Sequence, residues 1–247
     1  MNSKILTQIK QLKMMLADAR RVAFLGGAGT STESGIPDFR SSDGIFQAIQ
    51  QFGYPPETLL SHEFFMHHTE VFFEYYRKFL LVPNARPNQA HKALARLEQA
   101  GKLTAVITQN IDDLHQQAGS RHVLELHGSV YRNHCMKCGR IYSLSEILPM
   151  NNVPRCACGG LIKPDVVLYG ESLDSEVLQS AVTHISRADM LIIGGTSLVV
   201  YPAAGLADYF TGKNLVVINL TETHQDARAQ LTICAPIGEV LMAAVPE

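Results

Sequence analysis

Apolar residues recur at helical spacing at the start of the chain. Ile5, Ile9, Leu12 and Leu16 are three or four positions apart, so they share one face of a helix. Polar and charged side chains occupy most positions between them. The pattern predicts an amphipathic helix within residues 1–21 that packs one face against a core.

Short continuous apolar runs alternate with helical patterns along the rest of the chain. Runs of this length predict buried strands. They occupy residues 21–25, 103–108, 123–126, 190–193 and 215–220. Strands that alternate with helices favour an α/β fold with a doubly wound, mostly parallel sheet, which binds ligands at the carboxyl ends of its strands.

Two segments after the first strand have different textures. Residues 37–54 are irregular in pattern and glycine-containing, which predicts a long loop. Residues 61–81 are rich in aromatic residues at helical spacing and predict one helix. Its stripe consists of Phe65, Phe72, Tyr76, Phe79 and Leu80. Such a stripe either packs into a core or lines a hydrophobic tunnel.

Four cysteines fall in a polar, glycine-rich segment. Cys135 and Cys138 form a C-x-x-C pair, and Cys156 and Cys158 form a tighter C-x-C pair. The surrounding residues 131–163 hold few large apolar side chains and could not build a core alone. Four thiolates complete a tetrahedral coordination shell, so we predict one structural Zn²⁺ that folds this insertion.

Glycine-rich turns follow two of the predicted strands. Gly27-Ala28-Gly29 follows the first strand, and Gly194-Gly195-Thr196-Ser197 follows a later one. Glycines let backbone amides approach a phosphate, and we expect the first turn to open a helix. Thr32 replaces the third glycine of G-x-G-x-x-G, so the ordinary dehydrogenase fingerprint is absent. One turn could serve folding only, whereas two could hold both ends of a dinucleotide.

Composition narrows the class of protein. Of 247 residues, 46% are hydrophobic and 18% charged, with a formal net charge of −2. The absence of a basic run argues against a dedicated nucleic-acid-binding protein. No apolar stretch approaches the roughly 18 residues that span a bilayer, and no signal peptide is evident, which indicates the cytoplasm. Cysteines stay reduced there, and the fifth, Cys234, is expected to be a small buried residue.

Several longer motifs are more specific than these turns, and they span nearly the whole chain. They are Gly27-Ala-Gly-Thr-Ser-Thr-Glu-Ser-Gly-Ile-Pro-Asp-Phe-Arg40, Thr108-Gln-Asn-Ile-Asp112, His127-Gly128, Lys163-Pro-Asp-Val-Val-Leu-Tyr-Gly-Glu171, Gly195-Thr-Ser197 and Asn219. Together with the four cysteines, these blocks closely resemble the sirtuins, NAD-dependent protein lysine deacylases, in the family's order. The resemblance is to a bacterial-type, zinc-containing sirtuin.

The resemblance implies a division of the chain. A Rossmann-like NAD-binding domain would comprise residues 1–44, 86–130 and 164–247. A smaller inserted domain would combine a helical insertion, residues 45–85, with a zinc ribbon, residues 131–163. The co-substrate NAD and an acyl-lysine protein substrate would meet in the cleft between the two domains.

The resemblance also implies roles for individual residues. The NAD-binding residues would be Gly27, Ala28, Gly29, Thr32, Phe39, Arg40, Gln109, Asn110, Ile111, Asp112, His127, Gly195, Thr196, Ser197, Asn219 and Ile237. Within this set, Phe39, Gln109, Ile111 and Asp112 would surround nicotinamide, while Thr196, Ser197, Asn219 and Ile237 would hold the adenosine half. Val167, Leu168 and Tyr169 would pair as a strand with the substrate peptide.

His127 would be the catalytic base of this reaction. The acyl-lysine carbonyl oxygen displaces nicotinamide from NAD, and the product reacts further only after a ribose hydroxyl is deprotonated. A histidine, with an unperturbed pKa of roughly 6.5, suits that step. The products would be nicotinamide, O-acyl-ADP-ribose and free lysine. Taken alone, His127 could be structural, and Asp112 could be the cap of a helix that begins at Asp113.

One departure concerns the acyl group. Sirtuins that prefer acidic acyl groups carry a Tyr and an Arg three residues apart in the aromatic helix. Here Glu74 stands three residues before Arg77, so we expect neutral acyl groups to be preferred. A shift of one residue in the helix would instead place Tyr75 or Tyr76 inward beside Arg77.

Two other functions compete with deacylation. An NAD glycohydrolase or protein ADP-ribosyltransferase would keep the NAD-binding residues without needing a peptide-binding strand. A zinc-ribbon module that binds nucleic acid is a different class, and the slightly acidic balance of charge speaks against it.

Overall fold

The computed structural model describes residues 2–38, 41–150 and 152–246. The strands are β1 Val22–Gly26, β2 Leu103–Thr108, β3 Val123–Glu125, β4 Gly128–Cys135, β5 Ile141–Ser143, β6 Ile162–Val166, β7 Met190–Gly194, β8 Asn214–Ile218 and β9 Leu231–Ile233. The α-helices are α1 Ser3–Asp18, α2 Ser42–Phe52, α3 Pro56–Leu59, α4 His62–His67, α5 Thr69–Tyr75, α6 Gln89–Gln99, α7 Leu114–Gln117, α8 Leu144–Ile147, α9 Ser175–Arg187 and α10 Ile237–Ala244. Among the described residues, no helix combines the length and apolarity needed to cross a membrane.

The larger sheet is doubly wound. Its six strands run in the order β3-β2-β1-β7-β8-β9, and every neighbouring pair is parallel. The chain builds outward from β1 to β3, then returns to β7 and builds toward the opposite edge. The strand order therefore reverses between β1 and β7, where sheets of this kind bind ligands. The predicted Rossmann-like fold class is confirmed.

Both faces of this sheet are covered. Helices α1, α6 and α10 supply one core, which includes Leu12, Phe24 and Leu94. Helix α9 and a 3₁₀ segment, Ala203–Tyr209, supply the other. A parallel sheet buried on both faces needs strands that are apolar throughout, which explains the continuous runs in the sequence.

The amphipathic first helix is confirmed as α1. Asn2 caps its start, because its side-chain oxygen accepts a hydrogen bond from the Ile5 amide at 2.9 Å. Ile9, Leu12 and Leu16 are buried, and Ile5 packs against the same core. The 3.6-residue period thus identified the buried face correctly.

The helix expected after the first glycine turn is absent. Two short 3₁₀ turns, Ala28–Thr30 and Thr32–Ser34, stand in its place. The Thr32 hydroxyl donates to the Gly29 carbonyl at 3.0 Å, and Gly35 ends the second turn at φ 80°. A left-handed residue stops a helix, so propagation ends within one turn.

The expectation of a long loop over residues 37–54 is also wrong, because helix α2 occupies most of this range. The Ser41 hydroxyl accepts from the Gly44 amide at 3.2 Å, and Gly53, at φ 77°, ends the helix. Gly44 therefore lies in the first turn of α2, where it does not interrupt the helix, and Gly53 is a C-terminal cap.

The single aromatic helix expected over residues 61–81 is divided. Helices α4 and α5 are separated at His68, whose ψ of 45° is not helical, and Tyr76–Leu80 form a π-helical turn. Phe65, Phe72 and Tyr76 are fully buried, whereas Phe79 and Leu80 are half-buried. The first three side chains form a core, and the last two line a cavity.

A second, antiparallel sheet carries the cysteines. Its order is β5-β4-β6, and α8 packs beside it. Arg77 joins the loop after α8 to the aromatic helices, since its guanidinium donates to the carbonyls of Leu148 and Met150 at 3.2 and 2.7 Å. The Tyr76 hydroxyl adds a bond to the Val130 carbonyl at 3.2 Å.

Candidate active site

The two glycine turns pack directly against each other at the carboxyl edge of the larger sheet. The Gly29 amide donates to the Gly195 carbonyl at 2.8 Å. A Cβ on Gly29 would lie 2.8 Å from the Gly195 Cα, and Gly195 has φ 60°. Only glycine allows this approach without strain, because any side chain would separate the two backbones.

Gln109 connects both turns. Its backbone amide donates to the Gly26 carbonyl at 3.0 Å, and its side-chain amide donates to the Thr196 hydroxyl at 3.0 Å. The parallel register produces this contact, since Gly26 pairs with Thr108 on one side and with Gly194 on the other. Three strand ends therefore meet at one place.

A cavity opens beside this junction. Nine of the residues predicted for NAD or peptide binding line it: Ala28, Gln109, Asn110, Ile111, Asp112, His127, Val167, Leu168 and Tyr169. Its apolar wall includes Ile36, Leu60, Phe79 and Leu80. The cavity thus combines a polar end with an apolar wall, as small-molecule sites do.

Asp112 anchors the polar end. Its carboxylate accepts from the Ser31 hydroxyl at 2.7 Å and from the Leu114 amide at 3.0 Å. The Asn110 side chain donates to the same hydroxyl at 2.9 Å. Burial raises the pKa of Asp112, although the bonds from Ser31 and Leu114 oppose this. Asp112 therefore lines the cavity and also accepts from the first amide of α7, whose N-cap position is Asp113.

A buried histidine, His91, contacts Ser31, and a second buried histidine, His115, packs against it. The Asn88 amide donates to His91 Nδ1 at 3.3 Å, which leaves the proton of the neutral ring on Nε2, 3.5 Å from the Ser31 hydroxyl. Burial lowers the pKa of His91 to about 4. His115 packs on that ring at 4.6 Å, and burial lowers its pKa well below the usual range. Both rings are neutral at physiological pH, and no role was predicted for either.

His127 lies between β3 and β4 with a defined tautomer. Its Nδ1 is 2.9 Å from the Gln109 carbonyl oxygen, which can only accept, so Nδ1 carries the proton. In the neutral ring Nε2 is then the basic nitrogen. The His127 carbonyl accepts from the Val167 amide at 3.0 Å, which places the predicted peptide segment beside it.

The other predicted residues do not line the cavity. Gly27, Gly29, Gly195 and Thr196 build the junction of turns, while Thr32 and Ser197 are exposed near it. Asn219 follows β8 and donates to the Thr221 carbonyl at 3.0 Å. Ile237 is buried directly beneath Gly194. The predictions for Phe39 and Arg40 lie outside the described residues.

Sequence reasoning missed several lining residues. Ser31 and Pro37 stand inside the long glycine-turn motif, so that motif could have identified them. Phe79 and Leu80 belong to the aromatic stripe, for which a tunnel was one alternative. Leu60 gave no local signal, because it reaches the cavity only through tertiary packing.

The four cysteines converge as predicted. Their sulfur atoms all lie within 4.8 Å of one another, with Cys135 and Cys158 3.5 Å apart and Cys138 and Cys156 3.7 Å apart. A tetrahedral zinc with Zn–S bonds of about 2.3 Å places its sulfurs about 3.8 Å apart. The group therefore fits one structural Zn²⁺ with all four coordination positions filled by protein.

Two glycines explain the tight C-x-C pair. Gly159, at φ 79°, turns the chain so that its amide donates to the Cys156 carbonyl at 2.8 Å. A Cβ on Gly160 would lie 2.6 Å from the Cys135 sulfur. The chain can therefore return to the metal site after a single intervening residue.

The expectation for Cys234 is wrong, because this thiol is exposed. It lies just after β9, between Ile233 and Ala235, which are both buried. Side chains alternate in extended backbone, so position 234 faces outward. Its sulfur lies 3.2 Å from the Leu220 carbonyl.

Comparison with known proteins gives a consistent result. A family model described as the Sir2 family matches residues 27–202. The chain is 53% identical over 239 residues to an NAD-dependent protein deacetylase of Clostridium acetobutylicum, covering 96% of this chain and 98% of that protein.

Solved structures agree with this match. A Sir2 protein with a deacetylated p53 peptide and 3'-O-acetyl-ADP-ribose has a TM-score of 0.88 and 38% identity, covering 96% of this chain and 99% of that one. A Sir2 complex with a p53 peptide and NAD+ has a TM-score of 0.85 and 39% identity, covering 94% and 95%.

The cysteine site generates the first testable prediction. One zinc per chain should co-purify, and Cys135→Ala or Cys158→Ala should lose zinc together with folding or solubility, because metal binding supplies folding free energy here. Elemental analysis and thermal unfolding measure both effects. Cys234→Ala is the matched control and should keep zinc and Tm. A metal-free protein that is folded and fully active would contradict a structural zinc.

Proposed function

Because the chain belongs to the Sir2 family, we propose that it is an NAD-dependent protein lysine deacylase that gives nicotinamide, O-acyl-ADP-ribose and free lysine. One observation carries the proposal. Asp112 with its partners Ser31 and Asn110, His127 and the Val167–Tyr169 segment all line a single cavity. Such a reaction needs a site for the nicotinamide end of NAD, a general base and a peptide-binding segment within reach of each other.

The residues divide the work between the two substrates. NAD, when bound, supplies a pyridinium leaving group on a ribose carbon. Asp112 would accept from the nicotinamide carboxamide, with Ile111 and Gln109 beside it. His127 Nε2 would take the proton of a ribose hydroxyl, since Nδ1 already donates to Gln109. The adenosine half would lie along Thr196, Ser197 and Asn219.

The peptide segment has a defined hydrogen-bonding capacity. The amides of Val167, Leu168 and Tyr169 already donate to the His127 carbonyl, the Glu171 carboxylate and the Leu60 carbonyl. The carbonyls of Leu168 and Tyr169 accept from Glu171 and His62 amides. Within the described part of the chain, no backbone hydrogen bond reaches the Val167 carbonyl. We infer that it accepts an amide of the substrate peptide.

We also propose the domain division given by the sequence and a cytoplasmic location. The junction of turns, α6 and the larger sheet would form the NAD-binding domain, and the aromatic helices with the cysteine module would form the small one. The cavity lies between these parts, because it is lined from both. A reducing compartment would keep the four zinc-binding thiols available.

Mass spectrometry of an acetyl-lysine peptide tests the proposed function. Incubation with NAD should remove 42 mass units, about the mass of one acetyl group exchanged for hydrogen, and yield O-acetyl-ADP-ribose; without NAD the peptide should be unchanged. Release of nicotinamide from NAD with the peptide intact would instead indicate a glycohydrolase or ADP-ribosyltransferase.

Replacing His127 by Ala should nearly abolish deacylation. A positioned general base contributes about 100-fold or more to the rate, so kcat should fall at least that far while NAD binding is largely retained. Steady-state kinetics and calorimetric NAD titration measure the two effects. The exposed His122→Ala is the matched control and should keep normal turnover. Near-normal kcat in His127→Ala would remove the assigned role.

Asp112→Asn should weaken both turnover and inhibition by nicotinamide. The carboxylate would no longer accept from the nicotinamide carboxamide, and loss of a charged hydrogen bond costs about 10-fold or more in affinity. Inhibition curves at millimolar nicotinamide measure this. Asp113→Asn is the control, because the Asp113 side chain bonds to Ser129 and does not line the cavity. Unchanged inhibition in Asp112→Asn would contradict the proposed pocket.

Acetyl-lysine should be processed much faster than succinyl-lysine. Among the described residues that line the cavity, none is Lys or Arg. Glu74 is exposed, whereas the two tyrosines that follow it are buried, so the helix has the shifted register and Glu74 does not repel an acid inside the cavity. The Arg77 guanidinium is bound to the Leu148 and Met150 carbonyls and does not line the cavity. Burying an unpaired carboxylate costs several kcal/mol, so kcat/KM should differ by about 100-fold or more on one peptide. A preference for succinyl would contradict this.

A further inference from the structure

A cluster of charged side chains holds the Val167–Tyr169 segment in place. One Glu171 oxygen, Oε2, accepts from the Leu168 amide at 2.8 Å and from the Lys163 ammonium at 3.0 Å. The other, Oε1, lies 2.8 Å from His62 Nδ1. A single carboxylate therefore bonds to the segment itself and to elements on both sides of it.

Lys163 makes this cluster difficult to rearrange. Its side chain is only 8% exposed, and its remaining donors reach the carbonyls of Val166 and Pro164 at 2.8 and 3.3 Å. A buried ammonium requires an anionic partner, and Glu171 supplies the carboxylate. Burial alone would raise the pKa of Glu171, but bonds from the Leu168 amide, His62 and Lys163 outweigh it and lower that pKa.

The same cluster ties the segment to the aromatic helices. The Tyr169 amide donates to the Leu60 carbonyl at 2.9 Å, and the His62 amide donates to the Tyr169 carbonyl at 2.9 Å. His62 thus bonds to Tyr169 through its backbone and to Glu171 through its ring. The segment extends beyond the end of β6, where these contacts form an isolated parallel β-bridge between Ser61 and Tyr169 and fix its conformation.

We propose that Glu171, held by Lys163 and His62, is a positioning residue that presents the Val167 carbonyl to the substrate peptide. This inference rests on the proposed deacylase function and adds a determinant of peptide binding to it. Glu171 also lines the cavity, but its hydrogen bonds reach the segment, Lys163 and His62 and not the Asp112 side chain, so its loss should weaken peptide binding without affecting NAD binding. The KM for the peptide should therefore rise while the KM for NAD stays nearly constant.

Glu171→Gln tests this inference in the full-length zinc-containing protein. The amide preserves shape but removes the charge opposite Lys163. The KM for an acetyl-lysine peptide at saturating NAD should rise about tenfold or more, while the KM for NAD should change by no more than about twofold. Glu171→Asp retains the charge and should restore part of the peptide affinity. Asp165→Asn is the matched control, since Asp165 lies on β6, the strand that carries Lys163, and its loss removes only an exposed ion pair with Arg132, so neither constant should change.

His62→Ala provides a second variant, because this half-exposed side chain can be removed without exposing a core. It should raise the peptide KM in the same direction, by about threefold. If Glu171→Gln fails to fold, as judged by Tm and zinc content, an unchanged peptide KM in His62→Ala overturns the inference. Equal rises in both Michaelis constants also overturn it. An inactive wild type would instead reject the proposed function, whereas an active wild type with unchanged Glu171→Gln kinetics rejects only the positioning role.

Discussion

The backbone-to-backbone packing of two glycine turns is the constraint on which the site depends. Gly29 and Gly195 meet at a distance that excludes a side chain on either, and the hydrogen bond between them fixes the turns in register. That contact exists because β1 and β7 are adjacent where the strand order reverses. Gln109 completes the junction from β2. Residues far apart in sequence therefore converge on one cavity.

The polar end of the cavity is stable because its groups satisfy one another out of water. Asp112 is buried, yet Ser31 and Leu114 donate to it, and Asn110 donates to Ser31. His91 lies beneath as a neutral ring, since its lowered pKa makes protonation unfavourable at physiological pH. Buried carboxylates are costly unless hydrogen-bonded, so the network offsets part of that cost and holds the Asp112 carboxylate at the cavity wall.

The apolar wall of the cavity depends on the cysteine module, which packs beside the aromatic helices. The cysteine module has a small core, and a metal with four thiolate ligands supplies folding free energy that its side chains cannot. Arg77 connects the loop after α8 to the π-helical turn that carries Phe79 and Leu80. A zinc ion bound by the four thiolates would thereby contribute to the shape of the apolar wall of the cavity.

Local signals in the sequence were sufficient for much of this protein. Continuous apolar runs identified five of the six parallel strands, all except β9. The spacing of Ile9, Leu12 and Leu16 identified the buried face of α1, and paired cysteines identified the metal site. Each depends on residues close together in the chain, where period and spacing directly reflect geometry. Local reasoning failed at α2, because a glycine in a first turn resembles one that breaks a helix.

Other features were decided only by tertiary structure. Within the described residues, the Leu60 wall contact, the His91 contact with Ser31 and the hydrogen-bonding state of the Val167 carbonyl had no sequence signal. Each depends on which groups distant in sequence approach one another after folding. Spacing can place a residue on a strand or a turn, but it does not specify the partner across the cavity. The sequence by itself determined most strands of the parallel sheet, the cysteine site and the motif residues, and packing decided how those residues face one another.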